Sequence, residues 1–318
     1  MKRYFGLLAF AILFGACDDG DITFEEIDFD TVNTARCGNK LYKVNGNEAL
    51  IVNVQNTEAE FNAIFAEEPT GSGLPQSINI NGADIQVAYR LFNGTVGSES
   101  ICDAIPPINP AAVEDWTATS GFMQITTTAM IVENTATGFE GGQKINQYRH
   151  NIIFTDIEFD RSNGTTQLYP VFNFGSFDRD ITHALPRPFL QQLNKCDGSN
   201  VIYKTSGDHA MVLAIDAALI NGSTLDTPQL ANVDGTTTSF SYLIYDTAPL
   251  TSEHFCDAVS PANPIQVWQG TGQVEVTSTD IAGDIQHTIV LKDIVLRRNN
   301  SEFILATNYN FGTFLVEN

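Results

Sequence analysis

Residues 102–110 read Cys-Asp-Ala-Ile-Pro-Pro-Ile-Asn-Pro, and residues 256–264 read Cys-Asp-Ala-Val-Ser-Pro-Ala-Asn-Pro. A nonapeptide written twice, with its cysteine, aspartate and closing Asn-Pro in register, marks an internal repeat. The match extends in both directions. Downstream, Trp116 and Gly121 recur as Trp268 and Gly272, and Gln124-Ile-Thr-Thr-Thr128 recurs as Glu275-Val-Thr-Ser-Thr279. His150, Asp156-Ile157 and Phe172-Asn-Phe-Gly175 recur as His287, Asp293-Ile294 and Tyr309-Asn-Phe-Gly312. Upstream, Cys37, Tyr42-Lys43 and Gly46 recur as Cys196, Tyr203-Lys204 and Gly207, and Asp21-Ile-Thr23 as Asp180-Ile-Thr182. Order is kept along nearly the whole chain, and each copy is long enough to bury a core of its own. The boundary falls between Ser176 and Arg179.

Each copy reads as all-β. Glu48–Val54 is a short β-branched run, and Ile85–Phe92 alternates through Ile85, Val87, Tyr89 and Leu91. Phe122–Val132, Asn151–Phe159 and Leu168–Phe174 continue the first unit. The second predicts strands over Ala210–Ile215, Ser239–Tyr245, Gln273–Thr279, Thr288–Leu296 and Glu302–Tyr309. Asn-Gly, Asp-Gly and Gly-Gly turns separate these runs. Thr57–Glu67 carries Phe61, Ile64 and Phe65 at helical spacing, with no evident counterpart in the second copy. Ser98–Ala104 and Ser252–Ala258 each read as one helical turn bearing the cysteine, ended by proline. The expected fold is two tandem, homologous, immunoglobulin-like β-sandwiches, over residues 31–177 and 178–318.

The matched cysteines expect two disulfides within the copies, Cys37–Cys102 and Cys196–Cys256, of a kind that persists in an oxidising compartment. Zinc ligation is the rival, but no cysteine has a partner two to four residues away. The fifth cysteine, Cys17, stands apart. Before it come Lys2, Arg3 and the apolar run Tyr4–Gly15, too short to span a bilayer, which is the form of an export signal. Leu13-Phe14-Gly15-Ala16-Cys17 resembles the lipobox of bacterial lipoproteins, with Phe14 where Leu is usual. The resemblance implies a signal peptide over residues 1–16 and diacylglyceryl transfer to the Cys17 thiol. Asp18, Asp19, Asp21, Glu25, Glu26, Asp28 and Asp30 follow before the first base, Arg36. An acidic tether of this kind, residues 17–30, resembles the surface-export signals of Bacteroidota lipoproteins. That resemblance implies a membrane anchor through Cys17 and display on the exterior face of the outer membrane. The alternative is a tether that is merely solvated.

The chain of 318 residues carries 16 Lys and Arg against 38 Asp and Glu, a net charge of −22. Such a surface repels phosphate backbones, which excludes nucleic acid as a partner. The sequence has no phosphate-binding glycine loop, no H-E-x-x-H and no G-x-S-x-G. We therefore expect no catalytic residues, no metal and no cofactor. His150 and His287 are matched and open alternating strands, as a ligand or base, or as histidines bonded to a neighbouring carbonyl. The matched acids Asp103/Asp257 and Asp156/Asp293 would need to share a cleft to act on glycosides; Asp103 reads better as an acceptor of backbone N–H bonds. Asp160-Arg-Ser-Asn-Gly164 has oxygen donors for calcium without a full loop signature. Trp116 and Trp268 are the candidates for glycan contact, since exposed rings stack on sugar faces; packing across the sandwich explains their matching equally well. The leading expectation is a non-catalytic binding or structural module of the bacterial envelope, with an envelope protein or glycan as partner. The alternative is a glycan-binding lipoprotein of a polysaccharide-capture system.

Overall fold

The computed structural model describes residues 26–316 apart from 56, 72–73 and 222–223, and the side chain of His183. The export signal and Cys17 lie outside the described residues. The first sheet comprises β1 (Ala35–Cys37), β2 (Lys40–Asn45), β3 (Glu48–Val54), β4 (Gln76–Asn79), β5 (Ile85–Phe92), β6 (Ala112–Glu133), β7 (Gln143–Arg161) and β8 (Thr166–Leu185). Its order is β1-β2-β3-β5-β6-β7-β8, with β4 added to β6. The second sheet comprises β9 (Asn194–Lys195), β10 (Val201–Ser206), β11 (His209–Ala214), β12 (Gln229–Val233), β13 (Ser239–Ile244), β14 (Gln266–Ile281), β15 (Asp284–Arg298), β16 (Ser301–Ile304) and β17 (Asn308–Val316). Its order is β16-β15-β14-β13-β11-β10-β9, with β12 on β14 and β17 on β15. All pairings are antiparallel between the named strands, and the two copies share one plan, as two tandem β-sandwiches should.

An immunoglobulin-like plan keeps its two layers as separate sheets. Here both layers of each copy are hydrogen-bonded into one sheet that folds over itself, and matched glycines make the fold. Strand β6 pairs with β5 through residues 112–117 and with β4 through residues 122–125. Between them sits Gly121, at φ 120°, where the register against β7 shifts. A Cβ on Gly121 would lie 2.7 Å from the Ile157 Cα and 2.9 Å from the Asp156 carbonyl. Strand β14 repeats the device. It pairs with β13 up to Gly270 and with β12 from Gly272, and a Cβ on Gly272 would lie 2.7 Å from the Asp293 carbonyl. Opposite each bulge stands an aspartate in the left-handed region, Asp156 at φ 51° and Asp293 at φ 49°. A bulge of this kind bends the strand and re-aims its side chains, so one strand serves both layers. Asp156 and Asp293 thus hold a bend and are exposed.

Between the layers lies an apolar core in each copy. Leu50, Val52, Trp116, Ile125, Phe154 and Phe174 belong to the first, and Leu213, Phe240, Trp268, Val274, Leu291 and Phe311 to the second. A smaller cluster sits on the outer face of each copy, around Tyr42, Ile51 and Ile101 in the first and Ala210, Tyr245 and Leu250 in the second. The disulfides pin these outer clusters. Cys102 ends the one-turn helix α2 (Glu99–Cys102) and bonds Cys37 of β1 across a Cα separation of 5.8 Å. Cys256 ends α4 (Glu253–Cys256) and bonds Cys196 across 5.3 Å.

Helix α1 (Glu58–Ile64) starts at Thr57 in a full capping box with Glu60 and buries Phe61. The second copy does hold a counterpart, α3 (Ala217–Asn221), which buries Leu219 and Ile220. Five residues are too few for a helical period to be read in sequence, which is why it was not expected. The copies also overlap in the chain. Strand β8 carries the first sheet's pairing to Leu185, past the 177/178 division, and Ile181 and Leu185 pack into the second core. At the other end, Ile27 and Phe29, assigned to the tether, are buried on the first sandwich.

Candidate functional site

The sequence candidates fall into place as supports of the fold. Trp116 and Trp268 are fully buried. Trp116 packs on Tyr89 at 4.9 Å under the Arg161 guanidinium, and its Nε1 donates to Glu114 Oε1 at 2.7 Å. Trp268 packs on Phe303, and its Nε1 donates to Gln266 Oε1 at 3.1 Å. Neither ring offers a face to a sugar, so the glycan-contact expectation is corrected. Both rings are the largest pieces of the two cores, where burial of an aromatic side chain is worth most.

The matched histidines are also buried, and each pairs with a matched hydroxyl rather than a carbonyl. His150 Nδ1 lies 2.8 Å from Thr127 Oγ1, and His287 Nδ1 lies 2.8 Å from Ser278 Oγ. Phe65 and Phe177 flank His150, and Phe314 flanks His287. A proton on His150 Nε2 would find no acceptor there, so the tautomer protonated on Nδ1 and donating to Thr127 is favoured. Burial pushes the His150 pKa down to about 4, and the Arg179 guanidinium adds to the shift against the opposing pull of Asp178. Burial lowers His287 as well. A hydroxyl beside an imidazole suggests nucleophilic chemistry, but Ser278 is fully buried and Thr127 nearly so. No reacting atom can be placed against either.

Asp103 is exposed beyond the end of α2, and its carboxylate accepts no hydrogen bond among the described residues. The expected backbone acceptor role is not what it performs. Asp160 and Arg161 end β7 and residues 162–165 form the turn to β8, where Asn163 Oδ1 accepts from the Thr165 amide and hydroxyl. Among the described residues, no group of three or more His, Cys, Asp or Glu side chains could hold a metal ion.

What sequence reading did not anticipate is the junction between the copies. The segment after α1 runs Ala66-Glu67-Glu68-Pro69-Thr70 and is held from both sides. From the first copy, Arg179 Nη1 donates to the Phe65 carbonyl at 2.6 Å and its Nη2 lies 3.7 Å from Glu67 Oε1, while the Thr182 amide donates to Glu67 at 2.8 Å. From the second copy, Gln266 Nε2 donates to the Glu67 carbonyl at 2.9 Å and Asn299 Nδ2 to the Pro69 carbonyl at 2.7 Å, and Arg298 pairs with Glu68. Asn300 Nδ2 donates to the Thr127 carbonyl at 3.0 Å, and the Ala129 amide donates to Ser301 Oγ at 3.0 Å. Two grooves flank this segment. One, of about 360 Å³, is bounded by Ile64, Thr70, Gln76, Thr127 and Asn299; the other, of about 260 Å³, by Asn62, Arg179, Thr182, Ile265 and Gln266.

The β6–β7 loop, residues 134–142, completes the junction. Phe139 enters the second core and meets Tyr309 at 5.4 Å, and the Thr307 amide donates to the Glu140 carbonyl at 3.0 Å. The Gly141-Gly142 pair, readable only as a turn, is where the backbones of the two copies touch. A Cβ on Gly142 would lie 2.2 Å from the Leu305 carbonyl, and one on Gly141 2.2 Å from Thr307 Oγ1. Ile145 and Tyr148 follow the loop into the same core. Burial, with Glu67 nearby, pushes the Tyr148 phenol well above its ordinary range. One signal in the sequence could have located this contact. The loop has no counterpart in the second copy, where β14 and β15 are joined by Ala282-Gly283 alone. The grooves' charges are matched to each other, so the junction's chemistry is cohesion and shape. No family model, curated protein or solved structure matches the chain.

Proposed function

We propose that the chain is an exported lipoprotein, anchored through Cys17 in the outer membrane and facing the exterior, that serves as a non-catalytic binding or structural module of the envelope. The observation that supports the reading best is the junction. Two copies of one sandwich are locked by apolar insertion, backbone contact and an ion pair, which fixes their surfaces in one orientation. A block of fixed shape suits presentation of a surface to a partner more than a cycle of opening and closing around substrate. The resemblances at the N-terminus supply the location. Packing of Ile27 and Phe29 on the first sandwich leaves a leash of about ten residues after Cys17, at most roughly 35 Å when extended. The block would therefore ride close to the lipid surface.

The test is mass spectrometry of the mature protein from membranes, with protease treatment of intact cells. The expected result is an N-terminal Cys17 bearing acyl chains and cleavage of the protein from outside. An unmodified N-terminus at another residue refutes the anchor, and resistance in intact cells with cleavage after lysis refutes exterior display. The glycan-capture reading loses its residues with the burial of Trp116 and Trp268, and no other observation favours it.

A further inference from the structure

The repeat places a lysine at equivalent positions, Lys43 on β2 and Lys204 on β10, each nine-tenths or more buried. Their surroundings differ. In the first copy Lys43 Nζ donates to the Phe29 carbonyl at 3.0 Å and sits 5.5 Å from the Phe174 ring. The space for it exists because residue 175 is glycine, whose Cβ would lie 2.8 Å from Nζ. In the second copy the matched glycine is kept as Gly312, but Leu193 lies over it, 3.3 Å from where a Cβ would stand, and the lysine is turned elsewhere. The segment preceding β9 is drawn elsewhere: Phe189 packs on Tyr242, Arg187 pairs with Asp208 at 2.7 Å, and the Pro188 carbonyl accepts from Ser206.

Lys204 therefore reaches a cavity of about 330 Å³ with no hydrogen bond or ion pair among the described residues. Gln191, Gln192, Gln286 and Thr313 line it with the apolar Leu193 and Leu315, and no carboxylate does, in a chain with 38 acidic residues. Gln191 Oε1 is engaged by the Thr205 hydroxyl at 3.2 Å, which leaves its amide N–H groups as donors. A lysine whose stem is buried, without a partner in the chain and beside amide and hydroxyl groups in a groove, is a site for an anionic oxygen.

We propose that the Lys204 cavity binds a small carboxylate-bearing molecule of about monosaccharide size, with the carboxylate on the Lys204 ammonium and the glutamine amides and Thr313 hydroxyl around it. Burial lowers the pKa of both lysines, and the Asp30 carboxylate opposes that only at Lys43. Lys204 has no such compensation from the chain, and an anionic ligand supplies it. The inference concerns the second copy alone and stands whether or not Cys17 is lipidated.

The test is competitive acylation of the intact protein with acetic anhydride, read lysine by lysine by peptide mass spectrometry. Glucuronate is the probe and glucose its neutral control. The expected result is at least five-fold slower modification of Lys204 in 10 mM glucuronate, no protection by glucose, and no change at Lys292. Lys204→Met should remove calorimetric glucuronate binding, whereas Lys43→Met should retain it. Equal modification with and without glucuronate overturns the proposal, and so does equal protection by glucose. Because protection is read on the unaltered protein, a misfolded variant would not obscure the answer.

Discussion

Lowering the pH should destabilise the first sandwich through His150, and the size of the effect follows from its burial. The imidazole titrates near 4 in the folded chain, against 6.5 for an ordinary histidine. Above pH 6.5 neither state is protonated and the folded state is at full advantage. As pH falls through 6.5 the unfolded chain takes up a proton that the folded one refuses, so stability declines down to about pH 4 and then levels. Two and a half units correspond to a limit of about 3 kcal/mol, of which about 2 kcal/mol is lost by pH 5. Carboxylates titrate in the same range, so the measurement is a difference. Urea unfolding of the wild type and of His150→Gln, followed by tryptophan fluorescence, is compared at pH 7.5 and pH 5. Trp116 is buried in the core that His150 packs against. The variant starts less stable because it loses ring packing on Phe65 and Phe177, and its deficit should shrink by about 2 kcal/mol at pH 5. A deficit that is the same at both pH values would show that the imidazole is not held neutral, and the reasoning from burial would be wrong.

Three further outcomes test the architecture. Gly142→Ala forces a Cβ into the Leu305 carbonyl; it should cost about 3 kcal/mol in urea unfolding and expose the β6–β7 loop to proteolysis, and an unaffected protein would mean that the copies are not locked there. Gly121→Ala and Gly272→Ala place a Cβ against backbone at φ 120° and 146°; each should cost about 2–4 kcal/mol by the same assay, and a neutral result at either would refute the bend. Cys102→Ser and Cys256→Ser open loops spanning 65 and 60 residues; each should lower stability by about 4 kcal/mol under oxidising conditions, and neither should matter once reductant is added.

How much of this was legible in the sequence depends on what each stretch is asked to do. Strands β3 and β5 begin and end where alternation and β-branching placed them, because each stays in one layer throughout. Strands β6, β7 and β14 are longer than their expected runs. Their alternation inverts at the Gly121 and Gly272 bulges, and a period of two cannot be followed through an inversion. The cysteine pairs were readable because duplication leaves one partner for each within a copy. The histidines were visible as matched letters, but their hydroxyl partners lie on the neighbouring strand, and pairing register is not written locally. Lys43 and Lys204 are the plainest case. Identical in sequence, they diverge in role only because one segment reaches its lysine and the other is diverted to Tyr242 and Asp208.

The loop over residues 134–142 carries a consequence for how the two copies join. It is a plug on one copy with a socket on the other, and the socket lies at the break between β16 and β17. The first copy has no break at the corresponding place, since β8 runs on without interruption, and the second has no plug, since β15 follows β14 after two residues. Joining is thus one-way: the plug belongs to the first copy and the socket to the second, so the two copies of one fold are not interchangeable in the pair.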